Sequence, residues 1–163
     1  MPLRTLIVCT SVHRGNTAKV ARIIANTLHA DVCNPSDLTK ERLSHYDLIG
    51  FGSGVYFGQF HRTLRQKIIE LPDDPLAHLK AFVFSTAGLP FLFRLWHWPI
   101  KYHLMRKGFD IIGEFHCRGF DTVGPLWLLG GINRQHPDNR DLEKAEVFAR
   151  RLLNQLSQTC VAT

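Results

Sequence analysis

Short apolar runs rich in β-branched residues alternate with segments of helical periodicity along most of this chain. The run at residues 5–9 is typical of a strand that is buried on both faces. In the segment that follows, apolar residues recur on one helical face, at Val20, Ile23, Ile24 and Leu28. Because strands that alternate with helices form βαβ units, this pattern predicts a parallel sheet with helices packed against it.

The same pattern continues to the end of the chain. It predicts five strands, at residues 5–9, 30–33, 46–52, 80–85 and 109–115. After the first helix it predicts further helices at residues 38–43, 61–71, 100–106 and 138–156. The chain has 163 residues, and most domains contain roughly 100–200. We therefore expect residues 1–163 to form a single α/β domain, a three-layer α/β/α sandwich around a five-stranded parallel sheet.

The composition excludes several classes of protein. Hydrophobic residues make up 45% of the chain and charged residues 21%, which excludes a disordered chain. The apolar runs are far shorter than the ~20 residues of a transmembrane helix, and the N-terminus lacks the core of a signal peptide. The four cysteines form no CxxC pair, which favours reduced thiols and a cytoplasmic location. The nine histidines lie in none of the usual metal-binding spacings, so we expect no metal site.

Three loops rich in Gly, Ser and Thr follow the first, third and fourth predicted strands. In a doubly wound sheet, ligands bind beyond the carboxyl ends of the strands. The first loop, residues 10–17, joins a buried strand to a helix, where backbone N–H groups form a ready anion site. It matches neither a Walker motif nor GxGxxG, which argues against hydrolysis of nucleoside triphosphates. A simple helix cap by Asn16 or Thr17 is the alternative interpretation.

The second and third loops have the composition of a site for a flat ring. Residues 52–59 place two aromatic side chains among three glycines, which suits stacking on a heteroaromatic ligand beside accessible backbone amides. Alternatively, Tyr56 and Phe57 simply cover the edge of the sheet. The small residues at 85–88 leave main-chain groups accessible, and an ordinary turn is the alternative there.

Taken together, these residues resemble the flavodoxin-like family over nearly the whole chain. The segment from Ser11 to Thr17 is similar to the family's phosphate loop, whose usual ending is Thr-Gly-Asn-Thr, although it is one residue longer and carries a cation. The resemblance implies the strand order 2-1-3-4-5 and FMN as the cofactor. It assigns the FMN phosphate to Ser11, His13, Arg14, Gly15, Asn16 and Thr17. It assigns the isoalloxazine ring to Ser53, Gly54, Val55, Tyr56, Phe57, Gly58, Ser85, Thr86, Ala87 and Gly88.

The resemblance also implies a function in electron transfer or flavin-dependent oxidoreduction, and it leaves open whether the protein is an enzyme or a carrier. The segment Phe57-Gly58-Gln59 is more similar to flavodoxin-like quinone reductases than to electron-carrier flavodoxins. The expected partners are therefore a redox protein or a small acceptor such as a quinone, with a nicotinamide as a candidate donor. The alternative is a flavodoxin-like fold without flavin that serves as a binding or regulatory module.

The net charge of +6 also distinguishes the chain from acidic electron carriers. Residues 89–106 are both aromatic and basic, and we expect them to overhang the flavin edge. This composition is typical of a membrane-surface patch, of a dock for a partner, or of a helix that packs its aromatic residues on the sheet. The sequence contains no nucleic-acid recognition motif, so we expect no nucleic acid as a partner. Cys117 lies between His116 and Arg118, so a thiol of lowered pKa is a further hypothesis.

Overall fold

The computed structural model describes residues 3–12, 15–73, 79–88, 90–119 and 135–161. Within these ranges the strands are β1 (Thr5–Thr10), β2 (Asp31–Cys33), β3 (Leu48–Tyr56), β4 (Gln59–Phe60), β5 (Lys80–Ala87) and β6 (Asp110–Arg118). The α-helices are α1 (Asn16–Leu28), α2 (Lys40–Leu43), α3 (Arg62–Glu70), α4 (Phe93–Arg106) and α5 (Asn139–Val161). Single 3₁₀ turns lie at Pro35–Asp37 and Pro90–Leu92.

Five of the strands form a parallel sheet in the order β2-β1-β3-β5-β6. Strand β4 is additional and pairs antiparallel with the end of β3 as a short hairpin. With the hairpin set aside, this is the predicted order 2-1-3-4-5, so the fold class is confirmed. The order reverses beside β1, and the carboxyl ends of β1 and β3 therefore border the position where doubly wound sheets bind ligands.

Helices cover both faces of the sheet because the strand side chains alternate between two apolar clusters. On one face, Leu6 and Val8 of β1 pack in a cluster with residues of α2, α3 and α4. On the other face, Ile7 packs with residues of α1 and α5. Gly52 of β3 allows the ring of Phe84 to pack in the second of these clusters, because a Cβ at position 52 would overlap that buried ring.

Several strands extend further than the sequence pattern predicts. Residues 53–56 continue β3 and residues 86–87 continue β5, although both segments were expected to be loops, and β6 continues to Arg118. The parallel pairing continues through Ser53 with Ser85 and Gly54 with Thr86. Serine and glycine have low strand propensity, so only the pairing with a neighbouring strand reveals their extended conformation.

Helix α4 also begins earlier than predicted, at Phe93 instead of residue 100. Pro99 lies inside it and cannot donate a hydrogen bond to the carbonyl of Leu95. Both residues are exposed, so water is able to satisfy that carbonyl. None of the described helices is both long and apolar enough to cross a membrane.

Candidate functional site

A row of small polar side chains crosses the sheet at the carboxyl ends of its strands. Thr10 of β1 pairs in register with Ser53 of β3, which pairs with Ser85 of β5, and Ser85 pairs with His116 of β6. The first three of these residues are buried. Because they lie near the carboxyl ends of three neighbouring parallel strands, the three segments predicted to bind a ligand meet at one edge of the sheet.

The first segment turns sharply into helix α1 at Gly15. Its φ of 68° lies in the left-handed region, and nothing stands within 4 Å of where a Cβ would be. The backbone conformation, rather than a lack of space, therefore requires glycine here. Gly15 is the N-cap, and no side-chain hydrogen bond caps the helix. The alternative interpretation of Asn16 or Thr17 as the capping residue is thus wrong, because both lie inside the first turn.

Two hydroxyl groups beside this helix end have no hydrogen-bond partner. They are Thr10 Oγ1 and Ser11 Oγ, and both atoms are buried. A buried polar group without a partner costs about 1–3 kcal/mol. An anion with several acceptor oxygens would satisfy both hydroxyls and would also meet the positive end of α1. The residues present therefore fit a phosphate group.

The first and third segments are tied together by side chains. Thr17 Oγ1 lies 2.9 Å from Thr86 Oγ1, and this hydrogen bond is buried. Gly119, just after β6, packs closely on the same residues, since a Cβ there would lie 3.1 Å from Thr86 Cβ and 3.4 Å from Asn16 Nδ2. The first turn of α1 is thus held against β5. His13 and Arg14, which were also assigned to the phosphate, lie outside the described residues.

The second segment forms a hairpin whose tip projects an aromatic ring. Tyr56 pairs with Gln59 across a two-residue turn, in which Phe57 has φ of 49° and Gly58 has φ of 75°. This geometry suits glycine at the second position but strains phenylalanine at the first. The Phe57 side chain is 87% exposed.

The base of the hairpin is held by Ser53 and by aromatic packing. Ser53 Oγ donates to the carbonyl of Gly54 at 2.7 Å and accepts from the backbone N–H of His61 at 2.9 Å. The Tyr56 ring meets the His61 ring edge-on at 5.5 Å. The side chain of Val55 is partly buried and packs against the core cluster.

A partly buried series of hydrogen-bonded side chains leads away from the third segment and was missed by the sequence analysis. Ser85 Oγ lies 2.7 Å from His97 Nε2, and His97 Nδ1 lies 3.1 Å from Glu114 Oε2. Lys101 Nζ donates to Glu114 Oε1 at 2.5 Å. The four residues come from β5, α4 and β6, so only the tertiary structure brings them together. The spacing of His97 and Lys101 on one helix was the sole local signal.

His97 lies at the centre of this hydrogen-bonded series of side chains, and its imidazole is neutral. Burial lowers its pKa to about 4, although Glu114 opposes the shift. Nδ1–H therefore donates to Glu114, and Nε2 accepts from the hydroxyl of Ser85. The rings of Phe60 and Phe93 pack edge-on against the imidazole at 5.2 and 5.5 Å. The order serine, histidine, carboxylate is that of a hydrolase triad, but Ser85 and His97 are both 0% exposed, so a substrate does not reach the hydroxyl.

The hypothesis of a reactive Cys117 is wrong. Burial raises the pKa of this thiol far above its ordinary value, and the charges of Asp141 and Asp138 raise it further. His116 does not assist it, because its ring stacks on Phe93 at 3.6 Å between centroids. The two side chains point to opposite faces of β6, as neighbours in a strand do.

One cluster of metal-ligand type occurs among the described residues, where the sequence analysis expected none. His136, Asp138 and Asp141 offer ligand atoms that lie within 4.8 Å of one another. His136 Nδ1 contacts Asp141 Oδ2 at 2.6 Å. The backbone N–H of Asp141 donates to Asp138 Oδ1 at 2.9 Å, and that of Asp138 donates to Asp141 Oδ2 at 3.3 Å. These reciprocal bonds cap α5 and account for the cluster without an ion.

Comparison with known proteins agrees with this fold. Residues 7–90 match the family model described as a flavodoxin domain. An uncharacterized protein of Methanocaldococcus jannaschii is 42% identical over 151 residues, which cover 93% of this chain and 99% of that protein.

Solved flavodoxin structures share the fold at low identity. The oxidised Flavodoxin 2 of Bacillus cereus superposes with a TM-score of 0.67 at 20% identity, covering 93% of this chain and 99% of that one. A flavodoxin described as WrbA-like, from Agrobacterium tumefaciens, gives a TM-score of 0.65 at 17% identity, covering 96% and 98%. At these identities the likeness concerns the fold.

Proposed function

The chain belongs to the flavodoxin domain family, and on that premise we propose that it binds FMN and acts in electron transfer or flavin-dependent oxidoreduction. The observation that carries the proposal is the pair of buried, unpartnered hydroxyls of Thr10 and Ser11 beside the uncapped start of α1. A dianionic phosphate is the part of FMN that such donors and a helix N-terminus bind well.

The phosphate would be held by the first segment. Ser11 and the backbone N–H groups that follow Gly15 contribute donors, and Asn16 and Thr17 belong to the same turn. Arg14, which the family resemblance assigns to the phosphate, would add a cation. The hydrogen bond between Thr17 and Thr86 fixes the turn relative to β5, which reduces the ordering that binding requires.

The ring would lie against the hairpin and the end of β5. Tyr56 and Phe57 offer aromatic faces, and the backbone at residues 85–88 offers hydrogen-bonding groups for the ring edge. When bound, the flavin supplies the redox chemistry, and the protein supplies position and electrostatics. Hydrogen bonds from Ser85 through His97 and Glu114 to Lys101 tie the end of β5 to α4 and β6.

We further propose a quinone as the electron acceptor. The support is the ring of Phe57, which the hairpin holds in solvent in a strained conformation at the border of the site. Exposed aromatic rings of this kind favour a flat aromatic substrate, and backbone strain concentrates at functional sites.

Fluorescence titration with FMN and with riboflavin tests the proposal. Ser11→Asp sets a carboxylate against the phosphate, and two charges about 4 Å apart interact by roughly 1–4 kcal/mol. We expect FMN affinity to fall about tenfold or more while riboflavin affinity changes little. Ser157→Asp, on the exposed face of α5, is the matched control.

Two outcomes would contradict the proposal, one for the place of the phosphate and one for flavin binding as a whole. Equal losses for both ligands would mean that the phosphate lies elsewhere. No binding of either ligand by the wild-type chain would favour the alternative function, a flavodoxin-like module without flavin. Reoxidation of the dithionite-reduced, FMN-loaded protein by a soluble quinone then tests the acceptor separately.

A further inference from the structure

An apolar stripe runs along the solvent side of helix α4, and no other described element packs against it. Its members are Leu95, Trp98, Tyr102 and Met105, which follow one another at spacings of three and four residues and so lie on one face. Their side chains are 67%, 58%, 45% and 45% exposed. Phe91, in the 3₁₀ turn just before the helix, is 72% exposed and continues the stripe by one further turn.

The stripe does not belong to the core. The opposite face of α4 packs on the sheet through His97, Ile100 and Leu104, which are all buried. The helix is therefore apolar on both sides, whereas a surface helix normally turns polar residues to water. From Leu95 to Met105 the stripe is about 15 Å long. A contiguous exposed apolar surface of this kind marks an interaction site.

Cations flank the stripe on both edges. Arg94 lies four residues before Trp98 and Lys101 lies three residues after it, which places both on one edge of the stripe. Arg106 lies four residues after Tyr102, on the other edge. Arg94 and Arg106 are exposed, and Lys101 pairs with Glu114. The sequence of α4 contains no Asp or Glu. The surface that complements this helix is therefore apolar in the middle and anionic around it.

We propose that α4 docks this protein on an anionic membrane surface, with the stripe inserted among the lipid headgroups and the arginines against lipid phosphates. Tryptophan and tyrosine are the aromatic residues that favour the membrane interface, and flanking cations add attraction to anionic lipids. The proposal does not depend on flavin binding, because none of the stripe residues is assigned to the flavin.

A second copy of the chain fits this surface less well. Two stripes in contact would bring the arginines of both copies to one seam, and no acidic side chain of α4 would offset their repulsion.

Co-sedimentation with vesicles tests the proposal. We expect the wild-type chain to bind phosphatidylcholine vesicles that contain about one-third phosphatidylglycerol, and to bind pure phosphatidylcholine far more weakly. The double variant Leu95→Ser/Trp98→Ser should lower the partition coefficient about tenfold or more. Val147→Ser is the matched control, because Val147 is 57% exposed on α5, and it should bind like the wild type.

The charge component is tested in the same assay. Each lysine or arginine near an anionic surface strengthens binding about fivefold, so Arg94→Gln/Arg106→Gln should weaken it roughly 25-fold. The control Arg151→Gln removes an exposed arginine from α5 and should have little effect. All of these positions are exposed, so circular dichroism should show wild-type folding for every variant.

Insertion is measured with brominated lipids, which quench nearby tryptophans. Quenching in the wild type should be largely lost in Trp98→Phe. Failure of the wild type to bind anionic vesicles, or equal binding by the stripe variant, would overturn the proposal. Self-association that Leu95→Ser/Trp98→Ser abolishes, without vesicle binding, would instead identify an interface between two copies. Binding to an acidic protein instead of to vesicles would also overturn the membrane-docking proposal.

Discussion

His97 is a neutral histidine in a chain whose surface is basic. Its ring is enclosed by Phe60 and Phe93, and its two nitrogens are bonded to Ser85 and Glu114. Desolvation depresses its pKa from 6.5 to about 4. Besides Glu114, the groups that face it are Lys101 and His116, and both disfavour its protonation. Folding is therefore coupled to pH through His97.

The pH dependence of stability follows from the sign of this shift. Between pH 6.5 and 4 the unfolded chain binds a proton at His97 and the folded chain does not, so stability falls as the pH is lowered through this window. The full loss is about 3 kcal/mol. Urea unfolding at pH 7.5 and at intermediate acidic pH values measures it.

The control for this effect is His97→Gln, which keeps polar atoms but does not titrate. Its stability should be lower at neutral pH yet flatter across the same window. His116→Gln, at the half-buried neighbour whose pKa is lowered less, should retain most of the wild-type slope. A His97→Gln profile that remains as steep as the wild type would assign the dependence to other groups.

At the residue scale, substitutions should also distinguish the residues that contact the flavin ring from those that contact the phosphate. Tyr56→Ala removes an aromatic face and should weaken FMN and riboflavin to a similar degree, because stacking does not involve the phosphate. Arg14→Ala should weaken FMN more than riboflavin. Fluorescence titration of both ligands compares them, and identical discrimination by the two variants would show that these roles are assigned wrongly.

At the scale of elements, the β3–β4 hairpin combines a favourable turn residue with an unfavourable one. Gly58 adopts its positive φ without strain, whereas Phe57 adopts φ of 49° at a position where asparagine is preferred. Its side chain gains little from packing, since it is almost fully exposed. The hairpin is therefore less stable than its turn geometry allows, which is typical of a functional segment.

Phe57→Asn should stabilise the protein by about 1 kcal/mol, because asparagine tolerates the left-handed conformation. The same change should slow reoxidation by a quinone if the ring contributes to acceptor binding. Chemical denaturation measures the first effect and stopped-flow absorbance the second. Phe91→Asn is the control, as Phe91 is similarly exposed but has no positive φ. A Phe57→Asn variant that gains no stability would show that the turn is not strained.

At the scale of the whole molecule, the net charge of +6 acts on the proposed flavin. Reduction adds negative charge to the ring, and nearby cations favour it. Arg118 is placed to contribute, because it ends β6 in register with Ala87 of the third segment. One charge at about 10 Å contributes roughly 0.4 kcal/mol in water, which is on the order of 20 mV for a one-electron step.

We therefore expect the last one-electron reduction of bound FMN to lie at a higher potential than in acidic flavodoxins, and to fall as salt is added. Arg118→Gln should lower it by about 20 mV and Arg118→Glu by about twice as much. Potentiometric titration at two ionic strengths measures both effects, with Arg151→Glu as the distant control. A very low potential that salt does not change would assign control to local hydrogen bonds.

The sequence by itself determined the architecture. Apolar periodicity identified the five parallel strands and the helices between them, because burial of a sheet on both faces requires this pattern. The segments rich in Gly, Ser and Thr were also predicted to meet, since the carboxyl ends of parallel strands lie at one edge of any doubly wound sheet. These properties depend on residues that are close in sequence, so they are visible without coordinates.

Only the tertiary structure decided which polar side chains are joined by hydrogen bonds and which thiol is shielded by burial. Ser85, His97 and Glu114 come from three elements, and their hydrogen bonds depend on the register of β5 with β6 and on the packing of α4. The thiol of Cys117 is inert because of burial that its sequence neighbours do not reveal. The aromatic segment likewise divides into a buried face and an exposed stripe only when α4 packs on the sheet, since packing selects which side of a doubly apolar helix meets water.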